Sequence, residues 1–183
     1  MYLYYFIKKI LSKGDEFDIS EVYYKNIVDM TRDIELYQKG GVPDSLDGRY
    51  ELIVLHSHLF IRRLIKAGQN GKILSQKIID ILFKDFDQSL RELGAGDLSV
   101  GKKVKKMIEG YYGRASAYEE ALYSDKNDLI LALERNLYGT VDPSKEQIKY
   151  IVNYIDNLNK QLNYTSDKKL LNKFPDIDVQ KSL

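Results

Sequence analysis

The chain of 183 residues contains no cysteine, only three prolines and only two histidines. Without a thiol it can form no disulfide framework, no thiolate zinc site, no iron-sulfur ligation and no cysteine nucleophile, which excludes a secreted, disulfide-stapled protein. Charge of one sign is also missing. Lys and Arg number 28 against 27 Asp and Glu, a formal balance of +1, so nothing global draws the chain to nucleic acid or anionic lipid, and an electrostatic partner must be met by a local patch. No stretch approaches the roughly 18 consecutive apolar residues of a membrane span. The N-terminal run Met1-Tyr-Leu-Tyr-Tyr-Phe-Ile-Lys-Lys-Ile-Leu11 is no signal sequence, because its lysines follow the apolar segment and no small-residue cleavage site comes next. Asp15, Glu16, Asp18 and Glu21 are equally wrong for an organelle transit peptide. The expected location is the compartment of synthesis, most simply a bacterial cytoplasm.

What remains is a chain 44% hydrophobic and 30% charged, enough for one sizeable core. Scarce proline and plentiful Leu, Ile, Lys and Glu favour an all-α fold, although 15 tyrosines are unusual for one. Apolar spacing at three and four residues predicts a single compact domain of about seven helices over residues 1–164, followed by a polar, partly mobile tail over 165–183. Leu3, Phe6, Ile7, Ile10 and Leu11 line the first helix. Asp18 and Glu21 stand at capping-box spacing for a second, running through Tyr23, Ile27, Met30, Ile34 and Tyr37 until Gly40-Gly41-Val42-Pro43 stops it. From Arg49 to Lys66 the chain is apolar on nearly every side, which belongs in the middle of the domain. The next helix turns Ile78, Ile79, Leu82, Phe83, Phe86, Leu90 and Leu93 inward, with Asp80/Lys84 and Asp87/Arg91 paired outside. Ser99 is expected to cap a long helix striped by Val100, Val104, Met107, Ile108, Tyr111, Ala115, Tyr118 and Leu122. Two shorter apolar patterns complete the set, Leu129 to Leu137 and Ile148 to Leu162.

Gly110 and Gly113 sit inside the long helix, where each costs about 0.8–1 kcal/mol relative to alanine. Close approach of another helix is the favoured reason, ahead of close approach by a partner. His56 and His58, two apart on a helix, diverge, and no third ligand completes a zinc site; His56 reads as a satisfied core imidazole. Asp29 and Asp33 have the Asp-x-x-x-Asp spacing that holds magnesium in helical isoprenoid synthases, but Arg32 between them favours an ordinary solvated face. Lys102, Lys103, Lys105 and Lys106 crowd one turn and a half, with Glu109 nearby. They form either a solvated face or a docking patch for an acidic protein, an RNA-rich particle or a membrane surface.

One set of residues is more specific than any catalytic motif. The run Val42-Pro43-Asp44-Ser45-Leu46-Asp47-Gly48-Arg49, then Leu55-His56, Arg62-Arg63-Leu64, the long block Asp85-Phe86-Asp87-Gln88-Ser89-Leu90-Arg91-Glu92-Leu93-Gly94-Ala95-Gly96-Asp97-Leu98-Ser99-Val100-Gly101-Lys102, Tyr112-Gly113-Arg114, Ala117-Tyr118 and Ala132-Leu133-Glu134-Arg135-Asn136 resembles the ubiquinol-cytochrome c chaperone family from about Tyr37 to Gly139. Phe86, Ala95 and His58 depart from the family pattern. The resemblance implies the bacterial branch and a non-enzymatic assembly factor for respiratory complex III, without cofactor or metal, acting on newly made cytochrome b. It also implies a location that is cytoplasmic or peripheral at the inner membrane. Mitochondrial relatives use a small partner protein and dock near the ribosomal exit tunnel; sequence-specific nucleic acid is not expected.

Within that resemblance the ionisable residues Asp85, Arg91, Asp97, Lys102 and Arg114 either face a partner or lock internal ion pairs. Arg114 beside Gly113 and Tyr118 is the first choice for partner contact, with Lys103, Lys105 and Lys106 extending the surface. The alternatives are a magnesium-dependent isoprenoid-synthase-like enzyme built on Asp29 and Asp33, or a ribosome or RNA adaptor built on the lysines.

Overall fold

A computed structural model describes residues 18–94 and 96–179, and all of the regular structure among them is helical. The elements are α1 (Ile19–Met30), α2 (Ile34–Gln38), α3 (Leu46–Ile65), α4 (Gln69–Glu92), α5 (Asp97–Tyr123), α6 (Lys126–Asn136), α7 (Lys145–Tyr164) and α8 (Asp167–Asn172). The first expected helix, Met1 to Leu11, lies outside the described residues.

The centre is α3. Ser45 caps it by accepting from the Gly48 amide at 3.1 Å, and every residue from Glu51 to Ile61 is buried, as the all-round apolar pattern predicts. Helices α4, α5, α1, α7 and α8 all pack on it. Its buried faces carry Leu52, Val54, Leu55, Leu59 and Phe60 toward several neighbours at once, which fixes α3 as the axis around which the rest is arranged.

Three local expectations are corrected. The second helix does not run unbroken to Tyr37: it ends at Met30, and a new start follows because Asp33 accepts from the Glu35 amide at 3.0 Å and caps α2. Asp18 caps α1 through the Ser20 amide. Helix α5 is capped by Gly96, with Asp97 as its first residue, so Ser99 lies inside the first turn and its hydroxyl donates to the Gly96 carbonyl at 2.8 Å. Leu93 does not point inward; it is 59% exposed where α4 ends, just before Gly94 takes φ +84°.

The C-terminal stretch is also not a loose extension as far as Val179. The tyrosine hydroxyl of Tyr23 donates to the Leu170 carbonyl at 2.9 Å. Phe174 stacks on Phe60 at 5.1 Å between centroids and meets Tyr23 edge-on at the same distance. Buried Arg63 donates to the Leu162 and Thr165 carbonyls at 3.0 and 2.7 Å and pairs with Asp167 at 2.7 Å. A guanidinium buried in α3 needs acceptors, and the turn between α7 and α8 supplies them. Among the described residues no helix is long and apolar enough to cross a membrane.

Candidate functional site

The seam between α3 and α5 concentrates the charged interior. Glu51 is buried in the apolar run of α3, where burial raises its carboxyl pKa against the pull of Arg114. Arg114 Nε lies 2.7 and 2.6 Å from the two Glu51 oxygens, and its guanidinium sits 5.3 Å from the Tyr50 ring centre. The hydrogen bond from Arg114 to Glu51 raises the arginine's pKa further. One turn along, Glu119 Oε2 lies 3.1 Å from His58 Nε2 and 2.8 Å from Arg62 Nε. Burial pushes His58 down to about 4 in spite of Glu119, so the ring is neutral near pH 7. Arg62, its side chain only 13% exposed, covers the ring of the exposed Tyr123 at 5.0 Å. Sequence reasoning missed Glu51 and Glu119, and gave Arg62 only as one of the residues that carry the family resemblance. The available signal was a charge inside an apolar run, since such a residue is seldom buried without a partner.

The proposed site residues do not form one cluster. Arg114 and Tyr118 come together on the α3/α5 seam, but Tyr118 is fully buried and cannot touch a partner in this arrangement. Arg114 keeps 29% of its side chain exposed while its buried edge bonds Glu51 and locks α5 to α3. Asp85 is also internal, on the α1 side of α4, accepting from the Tyr24 hydroxyl at 2.7 Å. Burial pushes its carboxyl up to about 6. As partner contacts Asp85 and Tyr118 are therefore corrected: Asp85 takes the internal one of the two roles the sequence leaves open to it, and Tyr118 lies in the core-facing stripe of α5. Arg91 pairs with Asp87 at 2.7 Å on the outside, the i,i+4 contact the spacing indicates. Asp97 opens α5. Lys102, Lys103, Lys105 and Lys106 are exposed, with Lys105 3.8 Å from Glu109, and the exposed Leu93 stands at the turn that leads into them.

The residues behind the enzyme alternative are engaged elsewhere. Asp29 pairs with Arg32 at 3.1 Å on an exposed face, and Asp33 caps α2. His56 is the satisfied core imidazole expected: Nδ1 donates to the Leu52 carbonyl at 2.8 Å, Nε2 accepts from the Tyr154 hydroxyl at 2.7 Å, and burial lowers its pKa to about 4.

A body that is all-helical among the described residues, whose buried ionisable groups brace its helices and which exposes four lysines on the first half of one helix, has the makings of a binding module. The chain belongs to the ubiquinol-cytochrome C chaperone family, whose model matches residues 38–176. That match reaches beyond Gly139 and takes in α7, α8 and the stretch to Asp176.

Among relatives, the chain is 24% identical over 141 residues to the mouse ubiquinol-cytochrome c reductase complex assembly factor 1, covering 77% of this chain and 47% of that protein. It is 25% identical over 121 residues to the Xenopus laevis assembly factor 1, covering 66% of this chain and 60% of that one. The chain thus spans about half the length of the curated relatives it matches. The crystal structure of the Cbp3 homolog from Brucella abortus superimposes with a TM-score of 0.79 and 33% identity, covering 100% of this chain and 99% of that one.

Proposed function

We propose that this chain is a non-enzymatic assembly chaperone for ubiquinol-cytochrome c reductase, respiratory complex III, and that its client is newly made cytochrome b. The observation that carries the reading is family membership over residues 38–176, joined to 33% identity with the Brucella Cbp3 homolog along the whole chain. The relatives named as assembly factors point to the complex. The choice of cytochrome b comes from the family resemblance.

The docking surface in this reading is the outer face of α5: Lys102, Lys103, Lys105 and Lys106, with Asp97 at the helix start, Arg91 at the end of α4 and the exposed edge of Arg114. Its concentrated positive charge directs the protein to an anionic surface, of the inner membrane or of the ribosome, and so holds it peripherally where membrane subunits are made. Asp85 and Tyr118 serve that surface from inside, by fixing α4 and α5. Deleting the gene in its host and measuring assembled complex III against another respiratory complex tests the role. A selective fall in complex III is expected; normal complex III would end this reading.

A further inference from the structure

Where α4 and α8 pack they leave a trough between them. Helix α4 lines it with Asn70, Ile73, Leu74 and Lys77, an i, i+3, i+4, i+7 row on one helix face, and α8 supplies the opposite wall through Lys168 and Leu171. The depression is open and holds about 550 Å³. Ile73 is 50% exposed in it, with Leu74 buried beside it and Leu171 half-buried on the far wall. An apolar floor between two helix faces, with a lysine on each wall, is the shape that takes the apolar side of a third segment.

The chain enters the body at this place. Ile19, the first residue of α1, lines the trough, and Asp18 before it pairs with Lys77 at 2.7 Å, which ties the start of α1 to the α4 wall. Residues 1–17 precede that point. Their sequence spaces Leu3, Phe6, Ile7 and Ile10 three and four apart, and Lys8 and Lys9 fall outside that row. The joining stretch 12–17 can reach about 20 Å, whereas the α4 row from Asn70 to Lys77 is only about 10 Å long, so the apolar row can be laid back along it. The same stretch carries Asp15 and Glu16, opposite in charge to the exposed Lys168. A segment tethered this closely acts at an effective concentration on the order of mM, which favours it over a free peptide of equal fit.

We propose that the trough between α4 and α8 is the seat of the chain's own N-terminal segment, residues 1–11, with Leu3, Phe6, Ile7 and Ile10 set against Ile73, Leu74 and Leu171. The seat stands on the trough and on the sequence that leads into it, and does not depend on the assembly role.

The test uses the full chain, in which the absence of cysteine makes any introduced pair the sole disulfide that can close within it. Ile73→Cys is combined in turn with Phe6→Cys, Ile7→Cys and Ile10→Cys, and the same three with Leu131→Cys on α6, an exposed position outside the trough; oxidation of dilute protein is followed by mass spectrometry. At least one Ile73 pair is expected to close within the chain about tenfold faster than its Leu131 counterpart. Trypsin should cut after Lys8 and Lys9 several times more slowly in the natural chain than in Ile73→Asp, a change at a half-exposed side chain whose folding is checked by circular dichroism. Disulfides that form no faster at Ile73 than at Leu131, or equal cutting of the natural chain and a folded Ile73→Asp, would overturn the proposal. So would disulfides that form only between chains, which would give the trough to the segment of a second copy.

Discussion

Asp85 is a carboxylate held in surroundings that disfavour its charge. It sits in a buried pocket with the Tyr24 hydroxyl as hydrogen-bond donor at 2.7 Å, and burial moves its carboxyl up to about 6 from an unfolded value of 3.8. Because the folded value is the higher one, the folded state takes up the proton first. The charge therefore costs stability above pH 6, and that cost fades as pH falls toward 4. Asp85→Asn keeps an oxygen to accept from Tyr24 and removes the charge. The variant is expected to be more stable than the natural chain at pH 7.5, by about 1–3 kcal/mol at 1.36 kcal/mol per unit, with the advantage disappearing near pH 4. Paired thermal melts across that range measure it; a pH-independent difference would show that folding does not raise the Asp85 pKa. The tyrosines that look excessive in the composition find their explanation at the same scale. Tyr23, Tyr24, Tyr138 and Tyr154 are buried rings whose hydroxyls reach Leu170, Asp85, Gly40 and His56, so each fills the core and ties two segments together.

At the scale of the element, α5 separates two glycines that the sequence presents as a pair. A Cβ on Gly110 would stand 2.9 Å from Arg114 Nη1 and 3.1 Å from the Tyr50 hydroxyl, whereas one on Gly113 would meet nothing within 4 Å. The close-approach explanation therefore holds at Gly110 and has no internal support at Gly113. Gly113→Ala should raise stability by about 0.8–1 kcal/mol, the helix-propensity difference. Gly110→Ala should give no such gain, since it disturbs the Arg114 hydrogen bonds to Glu51. Urea midpoints for the two variants decide this, and equal gains would contradict the crossing geometry. The same helix shows what was legible beforehand. Periodicity announced the buried stripe through Val100, Tyr111 and Tyr118, and the all-round apolar run announced α3, because burial of a face leaves a direct trace in residue type. The break at Thr31, the start at Asp97 and the docking of α8 left weaker traces. Each turns on a single cap or a buried cation, Asp33, Gly96 or Arg63, whose partners become visible only when distant segments meet. The family motif marked a region correctly while its ionisable members divided between core and surface, since one chain stretch carries both faces of a helix.

For the whole molecule, the near-neutral total conceals where charge is placed. Lys102, Lys103, Lys105 and Lys106 are all exposed on the first half of α5, and those three or four apart repel one another across the helix surface, at roughly 0.2–0.5 kcal/mol per pair. Glu109 relieves only part of this, at 3.8 Å from Lys105. A fold optimised for stability alone would disperse these charges, so changing all four to glutamine should leave the melting temperature unchanged or slightly higher. If the face meets an anionic surface during assembly of complex III, the same variant, expressed at the natural level in a deletion strain, should restore markedly less complex III than the natural chain, and raising its expression should recover part of the loss. A folded variant that restores full assembly would reduce the lysines to a solvated face. One that melts well below the natural chain would show that they stabilise α5 in a way their exposure does not reveal.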